Sequence, residues 1–188
     1  MRPHQLQLGF LKLLRGTELF DKREEYALVC SENAPYEVLK TKWLSFDELE
    51  LLHRISDRVE EYVNSQGFRR SLPLAERLFS DAFSLFEELA AFYQVHGYDQ
   101  IRISAQKRYT VFSDFIRARA NISGEQEAQI LEMIRFDQAL HIHPARHMIL
   151  EDTFCLDGRT VRIRFDHRNC SPVNKEAHFS LVGEPETA

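Results

Sequence analysis

Apolar positions recur along this chain in three rhythms. The first is the run of residues 6–17, Leu-Gln-Leu-Gly-Phe-Leu-Lys-Leu-Leu-Arg-Gly-Thr, the most apolar stretch of the chain. Leu6, Leu8 and Phe10 alternate with Gln5, Gln7 and Gly9, the period of a strand, while Leu6, Phe10, Leu13 and Leu14 also fit one face of a helix. Gly9 lowers helix stability by about 1 kcal/mol relative to Ala, and the run stops abruptly at Gly16-Thr17, so a strand leaving a larger sheet is the expected form. The following residues are polar and charged as far as Ala34-Pro35-Tyr36-Glu37-Val38, where Pro35 fixes its own φ and drives Ala34 toward extended geometry.

The second rhythm is helical. Ser45-Phe46-Asp47-Glu48 reads as a capping box, with Leu44 and Leu49 placed for a hydrophobic staple. Leu49, Leu52, Ile55, Val59, Tyr62 and Val63 recur at steps of three and four, and Gly67 follows Asn64-Ser65-Gln66 as a stop, which predicts a helix over 46–65. Pro73 suits the first position of another helix, with Ala75 and Leu78 on its face. Ser80 suits the cap of a run carrying Ala82, Phe86, Leu89, Ala90 and Tyr93 and ending at Gly97, so that this region forms two helices or one bent helix. Ser104 opens a helix with Tyr109, Phe112, Phe115, Ile116 and Arg119 on one face. Ser123-Gly124-Glu125-Gln126 is a second capping box, leading to Ile130, Leu131, Ile134 and Ala139.

After Pro144 the period shortens to two. Runs 148–155 and 159–166 flank Leu156-Asp157-Gly158, a signal for a tight hairpin. A two-residue turn at Asp157-Gly158 sets Phe154 opposite Val161, Leu150 opposite Phe165 and Glu151 opposite Arg164, with Asp152 opposite Ile163 as a misfit expected to mark a bulge. One short strand is expected near 179–182. The predicted fold is mainly α: a four- or five-helix domain with an N-terminal strand and a C-terminal β-hairpin. Its expected divisions are 1–17 (strand), 18–44 (connection), 45–143 (helical domain) and 144–188 (hairpin and tail).

Composition narrows the function classes. A chain of 188 residues can bury a real core, and 14 Phe with only seven Gly and six Pro argue for aromatic helix packing over a turn-rich β fold. A net charge of -5 supplies no field that draws in nucleic acid or an anionic membrane. No apolar run approaches the ~20 residues of a membrane span and no secretion signal opens the chain, so a cytoplasmic location is expected. Cys30, Cys155 and Cys170 are too few and too scattered for a disulfide framework, and no C-x-x-C pair occurs. The common phosphate-loop, dinucleotide, zinc-hydrolase and serine-hydrolase motifs are absent, so no self-sufficient catalytic motif is visible.

Three groups of residues carry candidate chemistry beside a bland reading. His141, His143 and His147, with Asp137, Glu151 and Asp152 nearby, have spacings that can serve zinc or iron. Pro144 breaks that run, and histidines near a helix C-terminus also complement its dipole, so no metal site is expected. Arg69-Arg70, Lys107-Arg108 and Arg117 with Arg119 read as solvated faces or salt-bridge partners, with an acidic partner or a phosphate as the alternative. Tyr36 and Glu37 are placed to reach into a pocket; alternatively Tyr36 and Val38 pack on the core while Glu37 stays solvated.

A family resemblance rests on residues 5–17, then Ala34-Pro35-Tyr36-Glu37-Val38-Leu39, then Leu44-Ser45 with Glu48-Leu49 and Asn64-Ser65-Gln66-Gly67-Phe68. These look like the C-terminal part of cobalamin-binding radical SAM proteins. In that family a cobalamin domain precedes a partial α/β barrel holding a four-iron cluster and S-adenosylmethionine, and a helical domain follows. The resemblance implies that residues 6–14 are the last barrel strand and Gly16-Thr17 the turn leaving it. It places Leu11, Gly16 and Thr17 at the strand end near S-adenosylmethionine and Tyr36 and Glu37 toward substrate. Arg15 stands where the family usually has Pro, and the cluster-binding C-x3-C-x2-C, the cobalamin histidine motif and the glycine-rich S-adenosylmethionine segment are absent here. The expectation is a C-terminal fragment with no cofactor of its own, its partners being the missing N-terminal domains. Relatives often carry the label of anaerobic magnesium-protoporphyrin IX monomethyl ester oxidative cyclase, but no residue here speaks for a porphyrin. The implied role is to cap or help bind substrate over the barrel, without catalysis by the fragment alone. The alternative is a non-catalytic helical module for protein interaction or oligomerisation. A strand torn from its sheet is expected to pair with the hairpin, refold as helix, or self-associate through residues 6–14.

Overall fold

The computed structural model describes residues 5–142, 149–156, 158–168, 170 and 177–183. Its elements run α1 (Glu18–Asp21), β1 (Val29–Cys30), β2 (Val38–Lys40), α2 (Phe46–Val59), α3 (Ser71–Glu76), α4 (Ala82–Val95), α5 (Ala105–Arg117), α6 (Gly124–His141), β3 (Ile149–Leu156), β4 (Arg159–Asp166) and β5 (His178–Gly183). A π-helical turn, Glu60–Asn64, continues α2, and a short 3-10 turn, Tyr98–Gln100, follows α4. Among the described residues helix accounts for 47% and strand for 17%, in six helices and two antiparallel sheets. The fold is mixed α/β, which corrects the expectation of a mainly α domain with four or five helices. Strands β3 to β5 match the expected hairpin and short strand, but β1 and β2 went unforeseen, because strands of two and three residues are too short to show a period of two.

Capping places the helices. Ser45 and Ser123 each accept a bond from the amide three residues on, and the side chains of Glu48 and Gln126 return to the cap amide, completing both predicted boxes. Ser104 caps α5 as expected, whereas α4 is capped by Asp81 through the Ser84 amide, not by Ser80. Between Ser71 and Val95 the chain forms two separate helices, and Pro73 is the third residue of the first of them, where its missing N–H has no partner to lose. Gly97, at φ +70, takes the left-handed conformation that ends α4.

Two cores result. The larger joins α2 to α5 and the first half of α6 through Tyr62, Phe68, Leu85, Leu89, Tyr93, Tyr109, Phe112 and Ile134. The smaller packs Phe136 and Leu140 of α6 on Phe154, Ile163 and Phe165 of the sheet. Helix α6 thus buries residues on opposite sides, Ile130 and Ile134 toward the helices and Phe136 and Leu140 toward the strands. Arg135 clasps the seam: it pairs with Glu132 and Asp152, donates to the Thr153 carbonyl and lies over Phe154.

The hairpin has the predicted register, with Phe154 opposite Val161, Leu150 opposite Phe165 and Glu151 opposite Arg164. Asp157 lies outside the described residues, but Leu156 pairs with Arg159 and Gly158 sits at φ +75, as a two-residue turn requires. Asp152 meets Ile163 without a bulge; the irregularity falls between Arg162 and Ile163 on the side facing β5. Strand β5 adds to β4 and completes a three-stranded sheet.

Candidate functional site

The apolar N-terminal run is not a regular strand. Among the described residues it makes one bridge, Lys12 to Glu37, flanked by bonds from the Leu13 amide to the Tyr36 carbonyl and from the Val38 amide to the Leu11 carbonyl. Lacking an adjoining sheet, the run uses the free side of the 36–38 segment, whose other side pairs with β1. Among the described residues it does not pair with the hairpin strands and does not form helix. Its start is held on the helical body by Asn64, whose side chain accepts from the Leu6 amide and donates to the Leu6 carbonyl, both at 2.9 Å. Phe10 stacks on His53 of α2 at 3.6 Å between ring centroids, and His53 Nε2 lies 2.7 Å from Glu37 Oε1.

The residues assigned by resemblance separate in space. Leu11 is half exposed at the edge of the ribbon. Gly16 adopts φ +82, and Thr17 caps the short helix α1, its hydroxyl donating to the Leu14 carbonyl at 2.7 Å and accepting from the Phe20 amide. Tyr36, at φ +58, is exposed, and half-buried Glu37 faces His53. These five are spread over residues 11–37, whereas Gln66 and Phe68 of the Asn64-Ser65-Gln66-Gly67-Phe68 motif line a cavity of 570 Å³.

That cavity opens where α2 passes into its π-turn. Its lining combines Leu6 with Tyr62, Val63, Phe68, Leu72 and Phe86, and its polar members are Gln66, Arg69 and Glu76. π-Turns inserted at a helix end are frequent at functional sites because they redirect side chains. Here the turn brings Tyr62 and Val63 to the cavity and leads into Gln66, at φ +60.

The wall is fixed from two sides. The Tyr109 hydroxyl donates to the Gly67 carbonyl at 2.8 Å, and a Cβ on Gly67 would come within 2.9 Å of that oxygen, so only glycine fits without displacement. Asp137 of α6, fully buried, accepts from the amides of Arg70 and Ser71 and from the Ser71 hydroxyl, and so caps α3 from another helix. Burial pushes the Asp137 carboxyl above its usual range despite these bonds and the nearby Arg70. Below the cavity the Tyr62 hydroxyl meets that of Tyr93 at 2.8 Å, and burial drives the Tyr62 phenol well above its usual pKa. The Arg58 guanidinium lies over the Tyr93 ring at 3.8 Å and pairs with Glu61 and Asp99.

The remaining candidates take structural places. His141 Nδ1 approaches the Asp137 carbonyl at 2.8 Å, while His143 and His147 lie outside the described residues. Among the described residues no group of three or more His, Cys, Asp or Glu is arranged to hold a metal ion. Arg70, Arg117 and Arg119 pair with Asp137, Asp114 and Glu88. By sequence Asp137 is marked only as a neighbour of histidines and Tyr109 only as a residue of a helix face. An acid embedded between Phe136 and Leu140 was the available signal that a buried cap was needed.

No described helix is long and apolar enough to cross a membrane. Neither the curated proteins nor the solved structures contain a match to the chain. One family model does match, described as a protein of unknown function (DUF4080), over residues 24–150. Those residues take in the ribbon, the cavity wall and every helix from α2 to α6, so the chain belongs to the DUF4080 family.

Proposed function

We propose that this chain supplies the accessory domain of a cobalamin-dependent radical SAM enzyme, where it caps the barrel and helps to bind substrate. The reading is supported by the residue resemblance and by the association of the DUF4080 family with radical SAM and cobalamin proteins. The observation that carries it is the cavity. Leu6, from the stretch that would leave the barrel, and the motif residues Gln66 and Phe68 line one apolar space. Radical intermediates need an enclosure that excludes water and competing hydrogen donors, and on this reading the barrel closes over the open side of the cavity to complete it.

The chain's own donors do not fit the implied cofactors. Cys30 lies on β1, Cys155 on β3 and Cys170 beyond β4, and no metal-holding group exists among the described residues. On this reading the four-iron cluster, S-adenosylmethionine and cobalamin belong to the other domains, as the resemblance implies, with Leu11, Gly16 and Thr17 at the boundary facing them.

The test uses the intact enzyme, encoded by a reading frame carrying C-x3-C-x2-C upstream of this sequence and prepared without oxygen. Deleting everything after Leu44 is expected to leave cluster content and basal cleavage of S-adenosylmethionine largely intact while abolishing turnover of substrate. Loss of the cluster instead would assign the domain to folding alone. A second reading, a docking or oligomerisation module, is favoured by the half or more exposed Leu14, Val29 and Trp43 near the N-terminus. An authentic gene start at Met1 with no such upstream frame would support it.

A further inference from the structure

We infer that the cavity beside the π-turn takes an aromatic carboxylate, its ring system seated among Tyr62, Phe68 and Phe86 and its carboxylate held by Arg69. The inference rests on the substrate-binding reading and names the class of molecule that reading leaves open. The 570 Å³ space lies in the range of small-molecule sites, which bury most of an apolar body and fix it with few polar groups.

The polar groups decide the charge of the ligand. Tyr62 presents only its ring, because its hydroxyl is already bonded to Tyr93. Gln66 donates to the Val63 carbonyl at 3.0 Å, and both Gln66 and Glu76 are engaged in contacts of their own. Arg69 lines the same cavity, is exposed, and has no acidic partner among the described residues. A guanidinium offers paired donors in the geometry of a carboxylate, so it recognises one better than any point cation does.

The other described cavities lack such a group. In the 300 Å³ space beside Phe92, Arg119 already bonds Glu88 and the Leu78 carbonyl. In the 400 Å³ space between α5 and α6, Arg117 pairs with Asp114, and Arg135 with Glu132 and Asp152. The Arg69 cavity is also pre-formed. Tyr109 fixes the Gly67 carbonyl, Asp137 fixes the Arg70 and Ser71 amides, and Asn64 fixes Leu6, so little ordering is left for binding to oppose.

The experiment titrates the 188-residue chain with naphthoate, naphthylmethanol and naphthylmethylammonium, three probes with one ring system and different head groups, by calorimetry and NMR shift mapping. Naphthoate is expected to bind about tenfold more tightly than the alcohol, as for one charge-assisted contact, with the ammonium weakest. Arg69→Gln should bring naphthoate down to the alcohol, and Arg69→Glu should reverse the order; the exposed position leaves the fold unaffected. Val63→Phe, which narrows the cavity, should weaken all three together with an unchanged circular dichroism spectrum. Equal affinities, no binding, or a naphthoate preference that survives Arg69→Gln would overturn the inference. These titrations need no cluster or cofactor. Their failure leaves the accessory-domain reading standing, whereas loss of the cluster in the deletion enzyme would refute that reading and, with it, the role of any ligand the titrations find.

Discussion

Asp137 offers the sharpest test of how the cavity wall is held. Its buried carboxylate accepts the Arg70 amide at 3.1 Å, the Ser71 amide at 2.8 Å and the Ser71 hydroxyl at 2.8 Å, and the Arg70 guanidinium lies 3.5 Å from its other oxygen. Asp137→Ala strands those donors away from water. Each orphaned buried donor costs about 1–3 kcal/mol, and removing one partner of a buried ion pair costs about 3–5 kcal/mol in all, so a loss of ~3–5 kcal/mol is expected. For a chain of this size that corresponds to a drop in Tm of about 6–20 °C. Asp137→Asn keeps one acceptor oxygen and the side chain's shape, and should lose only ~1–2 kcal/mol. Urea unfolding followed by circular dichroism measures both. An Ala variant within ~1 kcal/mol of wild type, or an Asn variant as damaged as Ala, would refute the capping argument.

The same carboxyl sets a pH signature. Its pKa is raised in the folded state, chiefly by burial, so the native protein binds that proton more tightly than the unfolded chain. Its contribution is therefore greatest below the ordinary value of 3.8 and is lost as pH rises through the higher folded value. Asp137→Asn has no such dependence. The advantage of wild type over Asn should shrink as pH is raised from that value toward neutrality, and an advantage that grows would contradict the direction of the shift.

Gly67→Ala and Tyr109→Phe should each destabilise by ~1–2 kcal/mol, but together by less than their sum, because removing the hydroxyl also removes the atom 2.9 Å from the new Cβ; additive losses in a double-mutant cycle would exclude that contact. Arg119→Ala deletes a bond to the Leu78 carbonyl, an ion pair with Glu88 and a cation–π contact over Phe79, and a loss of ~1–2 kcal/mol is expected in thermal unfolding, against about zero if the pair is merely solvated. Self-association through residues 6–14 remains our proposal for the isolated chain, since Leu11 and Leu14 stay 48% and 52% exposed. Leu11→Lys with Leu14→Lys should abolish concentration-dependent sedimentation, and a wild-type chain that stays monomeric at high concentration removes the proposal.

Local signals carried much of the architecture. Capping boxes at Ser45 and Ser123, the cap at Ser104 and the stop at Gly97 depend on groups within a few residues, and so does the hairpin register across Asp157-Gly158. The site was less legible. Phe68 of its lining stood out in the sequence only by resemblance, and Arg69 was visible only as part of a basic pair.

What remained needed distant partners. The sequence by itself determined where α2, α5 and α6 begin and which hairpin residues face each other, because those choices are settled by short-range hydrogen bonds and side-chain period. It did not determine the mixed α/β class, because β1 and β2, of two and three residues, are too short to show a strand period and are fixed by pairing with each other. Nor did it determine the fate of the N-terminal run, whose alternation suits a strand but whose backbone is met, among the described residues, by 36–38 and by Asn64. The tertiary structure decided that Asp137 caps α3 across 66 residues of sequence and that Tyr109 meets Gly67 across 42. Both contacts satisfy buried polar groups, and no local rule can name the partner until folding has brought the two elements together.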